Sequence, residues 1–532
     1  VSAEKVCVVG SGPAGATAAY FLWQAGFDVT VLDGGLGPEP EVAADIADWH
    51  ASQNDENLIR TVEARAANSS LEKPDLAEKL FLGSDFVYRD TERVLLETVS
   101  GADIRTSLAL GGLSNVWGAA ALPVTSRDTV GWPITQIDLA PYYERLGEII
   151  DISGEQDGLS AAFGSNVSSP AFPLGLQGGA LLKSLADDRD ALAKRGIAFG
   201  RARVAVGNKY SYQSEGCVSC GHCMIGCPHR AIFNAAFVIE ALQGRDRFAY
   251  CGGHVVERVA EEKRSVRVLG RGLADGAPIE ETFDRVFVAA GTVSTTAIIA
   301  RSVPGRGTPI QLRDSQLFVF PLMRFRGIQN PEIEKTNRLA QAFIEIDDPS
   351  VCDRLVHLQA YGYNDVFMNA VKAKLGPVKT IAPFAINLLA RHAMILQGFL
   401  HSDYSGTVEL SLTRSGKIQL TGSPNEQARK IARQTQKQVM RCRRGFGGVP
   451  VPGQMLVPPP GASRHLGASL PMRASPSGHE TDTLGRPAGL SRVHAVDASV
   501  LPSIPASTIT YSAMANAARI VDQVARLSDS AT

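Results

Sequence analysis

The chain has almost no net charge: 53 Lys and Arg stand against 54 Asp and Glu, a formal −1 over 532 residues. That balance offers no basic face for nucleic acid and no charge-driven attraction to a membrane surface. Long hydrophobic runs are also missing. The stretch nearest to a spanning segment, Thr380 to Ala390, is too short and is closed by Arg391 and His392. No secretory or twin-arginine leader is seen, because Lys5 is followed at once by an apolar run. Cysteine is scarce, eight residues in all, and is not spaced as a disulfide framework. These absences suggest a cytoplasmic, reducing setting. The length calls for two or more domains.

Four of the eight cysteines fall within eleven residues, as Cys217, Cys220, Cys223 and Cys227, with Pro228 after them. The spacing C-x2-C-x2-C-x3-C-P is that of bacterial iron–sulfur proteins. Two-residue gaps let successive thiolates curl round one small cluster, and the proline stops the turn from continuing as a helix. A [4Fe–4S] cluster is preferred. Because the fourth cysteine of such a run serves the other cluster in two-cluster ferredoxins, Cys227 can also stand aside from a [3Fe–4S] site. A zinc site, with His222 and His229 nearby, and a disulfide pair are the alternatives.

The amino-terminal segment carries a second signal. Val6 to Val9 is apolar enough for a central parallel strand and runs into Gly10, Gly12 and Gly15, spaced G-x-G-x-x-G. A helix over 16–24 and a strand over 29–32 follow, and Asp33 stands where a carboxylate meets a ribose hydroxyl. Together these predict dinucleotide binding, with the pyrophosphate at the helix N-terminus. FAD and NAD are not separated by this stretch. Further on, Gly111, Gly112, Ser114, Asn115 and Gly118 form a glycine-rich turn able to bring backbone close to a ligand. A Gly/Ser/Pro-rich passage, 163–179, reads as a linker or substrate loop. From 303 to 454 the pattern changes to six short strands, over 316–326, 341–346, 355–361, 394–400, 407–412 and 417–420, the last two joined by a hairpin turn. The helix predicted over 425–444 carries seven Lys and Arg against one Glu, read as a solvated face before a docking face for an acidic electron carrier.

The nucleotide motif, the loop Gly111–Ala120 with the following Trp132-Pro133-Ile134, and the carboxy-terminal segments together resemble the glucose–methanol–choline (GMC) family of FAD oxidoreductases. The nearest branch is the one that includes pyranose oxidase. The resemblance implies an α/β fold: a Rossmann-like FAD domain (1–130, 205–302 and 455–532) and a substrate domain on an antiparallel sheet (131–204 and 303–454). It makes Val256 a residue touching adenine, and sets Ala290 in a glycine turn like the family's second signature. It aligns Asp497 and Ala498 with the D-A-S-x-x-P motif that meets the flavin phosphates and ribityl chain, and Thr508 with the segment after it. Val116 stands where the branch carries a flavin-bearing histidine, so FAD is expected to be noncovalent. His465, in Arg464-His465-Leu466-Gly467, matches the family's catalytic histidine motif. The second catalytic His or Asn is missing, and its place falls on Ser507 or Ala506.

The expected function is therefore an FAD-dependent dehydrogenase, oxidising a CH–OH group of a sugar or sugar-derived alcohol. His465 takes the hydroxyl proton, Ser507 assists, hydride goes to flavin, and an iron–sulfur cluster passes electrons to a redox protein or other external acceptor. Reduction of a carbonyl by the reverse route uses the same parts. Two other readings stay open: an electron-transfer flavoprotein without its own small substrate, and a dioxygen-using oxidase with a structural zinc.

Overall fold

The computed structural model describes residues 3–69, 71, 78–207, 216–303, 309–364, 368 and 383–531. Within them, a fully parallel five-stranded sheet is ordered Val493–Ala495, Arg285–Val288, Lys5–Val9, Asp28–Leu32 and Phe248–Cys251. Its central strand is buried at every residue from Val6 to Val9, as expected for a strand covered on both faces. The helices Pro13–Gln24, Ala235–Leu242 and Ile509–Ala531 pack around it. The predicted helix over 16–24 begins earlier, at Pro13, because Gly12 is an extended N-cap and proline suits the first helical turn.

The antiparallel part is a six-stranded sheet: Gly448–Pro450, Leu317–Arg324, Ala393–Leu400, Val356–Tyr361, Ala342–Ile346 and Ile197–Arg201. The expectation that all six predicted strands share one sheet is corrected here. Thr407–Leu412 and Ile418–Ser423 do form the expected hairpin. They belong instead to a separate four-stranded sheet with Ile310–Arg313 and Leu96–Ser100. Edge pairing with a strand more than 300 residues away in sequence leaves no local trace, so the sequence could not assign the sheet. A three-stranded antiparallel sheet, Pro278–Phe283, Val266–Gly272 and His254–Glu261, completes the larger sheets.

The apolar run 380–390 lies partly outside the described residues, and its described part belongs to the helix Pro383–His392. Among the described residues no helix is long and apolar enough to cross a membrane. The basic helix spans Glu426–Arg441, and it buries Ala428, Ile431, Ala432 and Val439 against the six-stranded sheet side of the core. Its basic residues are exposed.

Candidate active site

The first turn after Lys5–Val9 is built for close approach. Gly10 has φ +96°, and a Cβ there would meet the Ala289 carbonyl oxygen at 2.5 Å. A Cβ at Gly15 would fall 2.0 Å from the Gly10 carbonyl oxygen, so this glycine sets how tightly helix and strand pack. Gly12 is different: nothing lies within 4 Å of its Cβ direction, and it opens onto a large cleft. The cleft holds about 2060 Å³ of space outside protein atoms, its mouth included.

Asp33 lines the same cleft. It accepts hydrogen bonds from the Ser11 hydroxyl (2.6 Å) and the Tyr250 hydroxyl (3.0 Å). Burial pushes its carboxyl up, against the pull of those hydrogen bonds. At the other end of the sheet, Asp497 accepts from the Thr295 hydroxyl (2.5 Å) and the Ser499 amide (3.0 Å). Burial raises its carboxyl too. Gly10, Gly112, Ser114, Gly118, Val256, Ala290, Asp497, Ala498 and Thr508 all line the cleft, and so does Val116.

Four sequence-selected residues do not line it. Gly15 packs as described. The Gly111 amide donates to the Ser11 hydroxyl at 2.9 Å, tying the glycine loop to the nucleotide turn. Asn115 donates to the carbonyls of Leu110 (2.9 Å) and Gly112 (2.7 Å), and accepts from Asn234 (2.7 Å), so its side chain holds the loop's shape. Ser507 is buried, with a hydroxyl that finds no hydrogen-bond partner, and it is not among the residues that line the cleft.

His465 does line the cleft. Its ring sits 4.9 Å from that of Phe399, centroid to centroid. Burial, with the nearby His357 adding to it, pushes the imidazole down to about 4, so it is neutral near pH 7. Its Nδ1 is buried without a partner. The backbone around it is pinned. The His465 amide donates to the Ser463 hydroxyl (2.9 Å), which donates to Asp314 (2.5 Å). Asp314 also accepts from the Gly461 amide (2.8 Å), and burial raises its carboxyl to about 6. Thr292, at the start of the helix Thr292–Ser302, donates to the Leu466 carbonyl at 2.7 Å. The sequence reading missed Asp314, Ser463 and the cleft-lining Gln359, Tyr361, Gln397 and Phe399. Their signals are single polar or aromatic residues in strands and turns, which only pairing makes meaningful.

The cysteine run lies beside this cleft. Cys217, Cys220, Cys223 and Cys227 line one small cavity with His229, Ile232, Asn337 and Leu339. The Ala231 amide donates to the Cys227 sulfur at 3.3 Å, and backbone amides of Ser219, His222 and Arg338 face the sulfurs of Cys217, Cys220 and Cys223. Burial pushes these three thiols up, Cys220 to about 11 and Cys223 to about 12. Among the described residues, no three His, Cys, Asp or Glu side chains converge where one metal ion would sit. His222 is engaged with Asp55 (2.9 Å), which also accepts from the Trp49 indole (2.9 Å). The helices Pro40–Ser52 and Asp55–Ala67 pack against the cysteine segment.

Trp117 connects the two cavities. It lines the cleft, and its indole donates to the Phe233 carbonyl (2.8 Å), next to the cysteine-lining Ile232. Its carbonyl accepts from Lys79 (3.2 Å), whose ammonium interacts electrostatically with Cys223 and Cys227.

Residues 8–38 match a family model described as an NAD(P)-binding Rossmann-like domain. No curated protein matches the chain. Solved structures do. Pyridoxine 4-oxidase from Mesorbium loti aligns over 98% of this chain and 99% of its own, with a TM-score of 0.61 and 13% identity. A fungal aryl-alcohol oxidase aligns over 99% of this chain and 100% of its own, at 0.59 and 13%. The chain thus has the α/β fold expected from its sequence, a Rossmann-like nucleotide unit joined to an antiparallel sheet, over its whole length.

Proposed function

We propose that the chain is an FAD-dependent dehydrogenase that oxidises a CH–OH group to a carbonyl, with an iron–sulfur cluster at the cysteines carrying electrons onward. The observation that carries the reading is His465: a neutral, buried imidazole lines the same cleft as the glycine turn and Asp33. The cleft fits FAD. Asp33 would hold the adenosine ribose, the turn Gly10–Gly12 and its helix N-terminus the pyrophosphate, and Asp497 with Ala498 the flavin side. When bound, FAD supplies a two-electron hydride acceptor.

The protein's own part is proton handling and shape. His465, uncharged, accepts the hydroxyl proton as the carbon-bound hydrogen leaves with its electron pair. Asp314 and Ser463 hold the backbone that presents the imidazole. Phe399 and the sheet face exclude water from one side of it.

The cluster reading rests on the C-x2-C-x2-C-x3-C-P spacing, with the four cysteines lining one cavity and a backbone N–H at each sulfur. The relay is supported by Trp117 and Lys79, which bridge from the cleft to the cysteines. The electrons then leave singly to an external acceptor, by this reading a redox protein in a reducing, cytoplasmic setting. A sugar or sugar-derived alcohol is the substrate class implied by the family resemblance.

A second reading has an observation of its own. Both solved structures of similar fold are oxidases, which favours dioxygen as the acceptor. One experiment separates the two: flavin reduction by a panel of alcohols without oxygen, then reoxidation by dioxygen or by a one-electron dye. Fast dye reduction with slow dioxygen reoxidation supports the dehydrogenase. The reverse supports the oxidase, and no flavin reduction by any alcohol sinks both.

A further inference from the structure

The strand Val356–Tyr361 is buried at all six residues, yet one face of it is polar. Val356, Leu358 and Ala360 join an apolar core. His357, Gln359 and Tyr361 alternate with them and face the other way, with Glu345 cross-strand from His357. These four polar side chains form one hydrogen-bonded row. His357 Nδ1 lies 2.6 Å from Glu345 Oε1, Gln359 Nε2 lies 3.1 Å from His357 Nε2, and the Tyr361 hydroxyl donates to Gln359 Oε1 at 2.8 Å. Gln359 and Tyr361 reach the cleft, beside Gln397, Phe399 and His465.

The network sets a direction. Gln359 presents its amino group to His357 Nε2, so that nitrogen accepts and the Nδ1 proton goes to Glu345. The oxygen of Gln359 then turns to Tyr361. The tyrosine must spend its only proton on that oxygen. Burial pushes the Tyr361 hydroxyl up, so it stays a phenol. What it offers the cleft is lone pairs alone. The guanidinium of Arg203 interacts electrostatically with Glu345, at the start of the row. Buried polar rows are costly unless every member is used.

We propose that Tyr361 is a substrate-contacting, specificity-determining residue whose oxygen accepts a hydrogen bond from a second hydroxyl on the alcohol, with Gln359, His357 and Glu345 as positioning residues. The reacting hydroxyl has one proton, and it goes to His465, so the Tyr361 acceptor needs another donor. The site therefore favours alcohols that carry a further hydroxyl near the reacting carbon over plain ones. This rests on the alcohol-oxidation reading above and narrows its substrate class.

The test uses the FAD-loaded full chain and matched probes: benzyl alcohol with its 2- and 3-hydroxy derivatives, and D-glucose with its monodeoxy derivatives. Anaerobic flavin reduction gives kcat/KM for each. In the wild type, at least one hydroxylated probe should exceed its partner by roughly tenfold, the size of one neutral hydrogen bond. Tyr361→Phe should bring that ratio close to one by slowing only the hydroxylated probe. Glu345→Gln, which keeps the shape but frees the row's direction, should lower the same ratio, whatever it does to the plain probe's own rate. Equal loss on both members of a pair, or an unchanged ratio in Tyr361→Phe, overturns the inference and leaves alcohol oxidation standing. A wild type whose flavin none of the probes reduces overturns the oxidation reading, and this inference with it.

Discussion

The ring of Phe399 lies 4.9 Å from that of His465, tilted by 32°. Phe399 comes from the sheet strand Ala393–Leu400 and His465 from a loop 65 residues later. The contact brings the antiparallel sheet and the candidate base into one wall of the cleft. It also buries the imidazole, which is the main cause of its lowered proton affinity.

If His465 is the base, His465→Ala should slow flavin reduction by ~10²–10⁴-fold, with FAD still bound. Ser507→Ala should do far less, under about tenfold, since its hydroxyl is buried, partnerless and outside the cleft lining. Single-turnover reduction of both variants checks the ranking. Equal losses would make Ser507 a full partner at the substrate and count against the placement described here.

The cysteine reading predicts iron and acid-labile sulfide in protein purified without oxygen. Cys220→Ser or Cys223→Ser should lower both while leaving FAD bound, because the nucleotide turn makes no contact with those sulfurs in forming its own hydrogen bonds. Metal analysis decides it: one equivalent of zinc without iron would end the relay.

Val116 lines the cleft at the position that carries a flavin-bonding histidine in the resembling branch. A valine side chain has no nucleophile, so acid precipitation should release the yellow colour to the supernatant. Flavin retained in the pellet would reveal a covalent bond elsewhere.

Acid should destabilise the fold through two histidines. Burial holds His465 and His494 at about 4, against an ordinary value of 6.5. The unfolded chain protonates both near pH 6.5 and the folded chain only near pH 4, so unfolding takes up protons in that window. Stability is therefore full above about pH 6.5 and falls as pH drops, by roughly 3 kcal/mol per histidine near pH 4. His494 donates through Nδ1 to the Leu484 carbonyl (2.8 Å) and stacks on Phe287. His494→Gln keeps a donor and removes the titration. Denaturant unfolding from pH 6.5 to 4 should show a shallower loss in this variant, and parallel curves would contradict the assignment.

What the sequence determined by itself is what neighbours within one turn or one strand decide. Gly10, Gly12 and Gly15 announced a strand–turn–helix because each must admit another backbone or a ligand, whatever the rest of the chain does. The hairpin at 413–416 was legible for the same reason: hydrogen bonds between residues close in sequence set it. The cysteine spacing was equally plain, although the packing of Trp49 and Asp55 against it was not. Tertiary structure decided the rest. Asp314 reaches Ser463 across 149 residues, and the strand Val356–Tyr361 alternates apolar and polar side chains but is buried on both faces, so only the tertiary structure shows that its polar side meets the cleft. Ser507 shows the limit most directly. Its neighbour Thr508 lines the cleft while Ser507 is buried outside that lining, a difference set by packing between distant elements that no local pattern encodes.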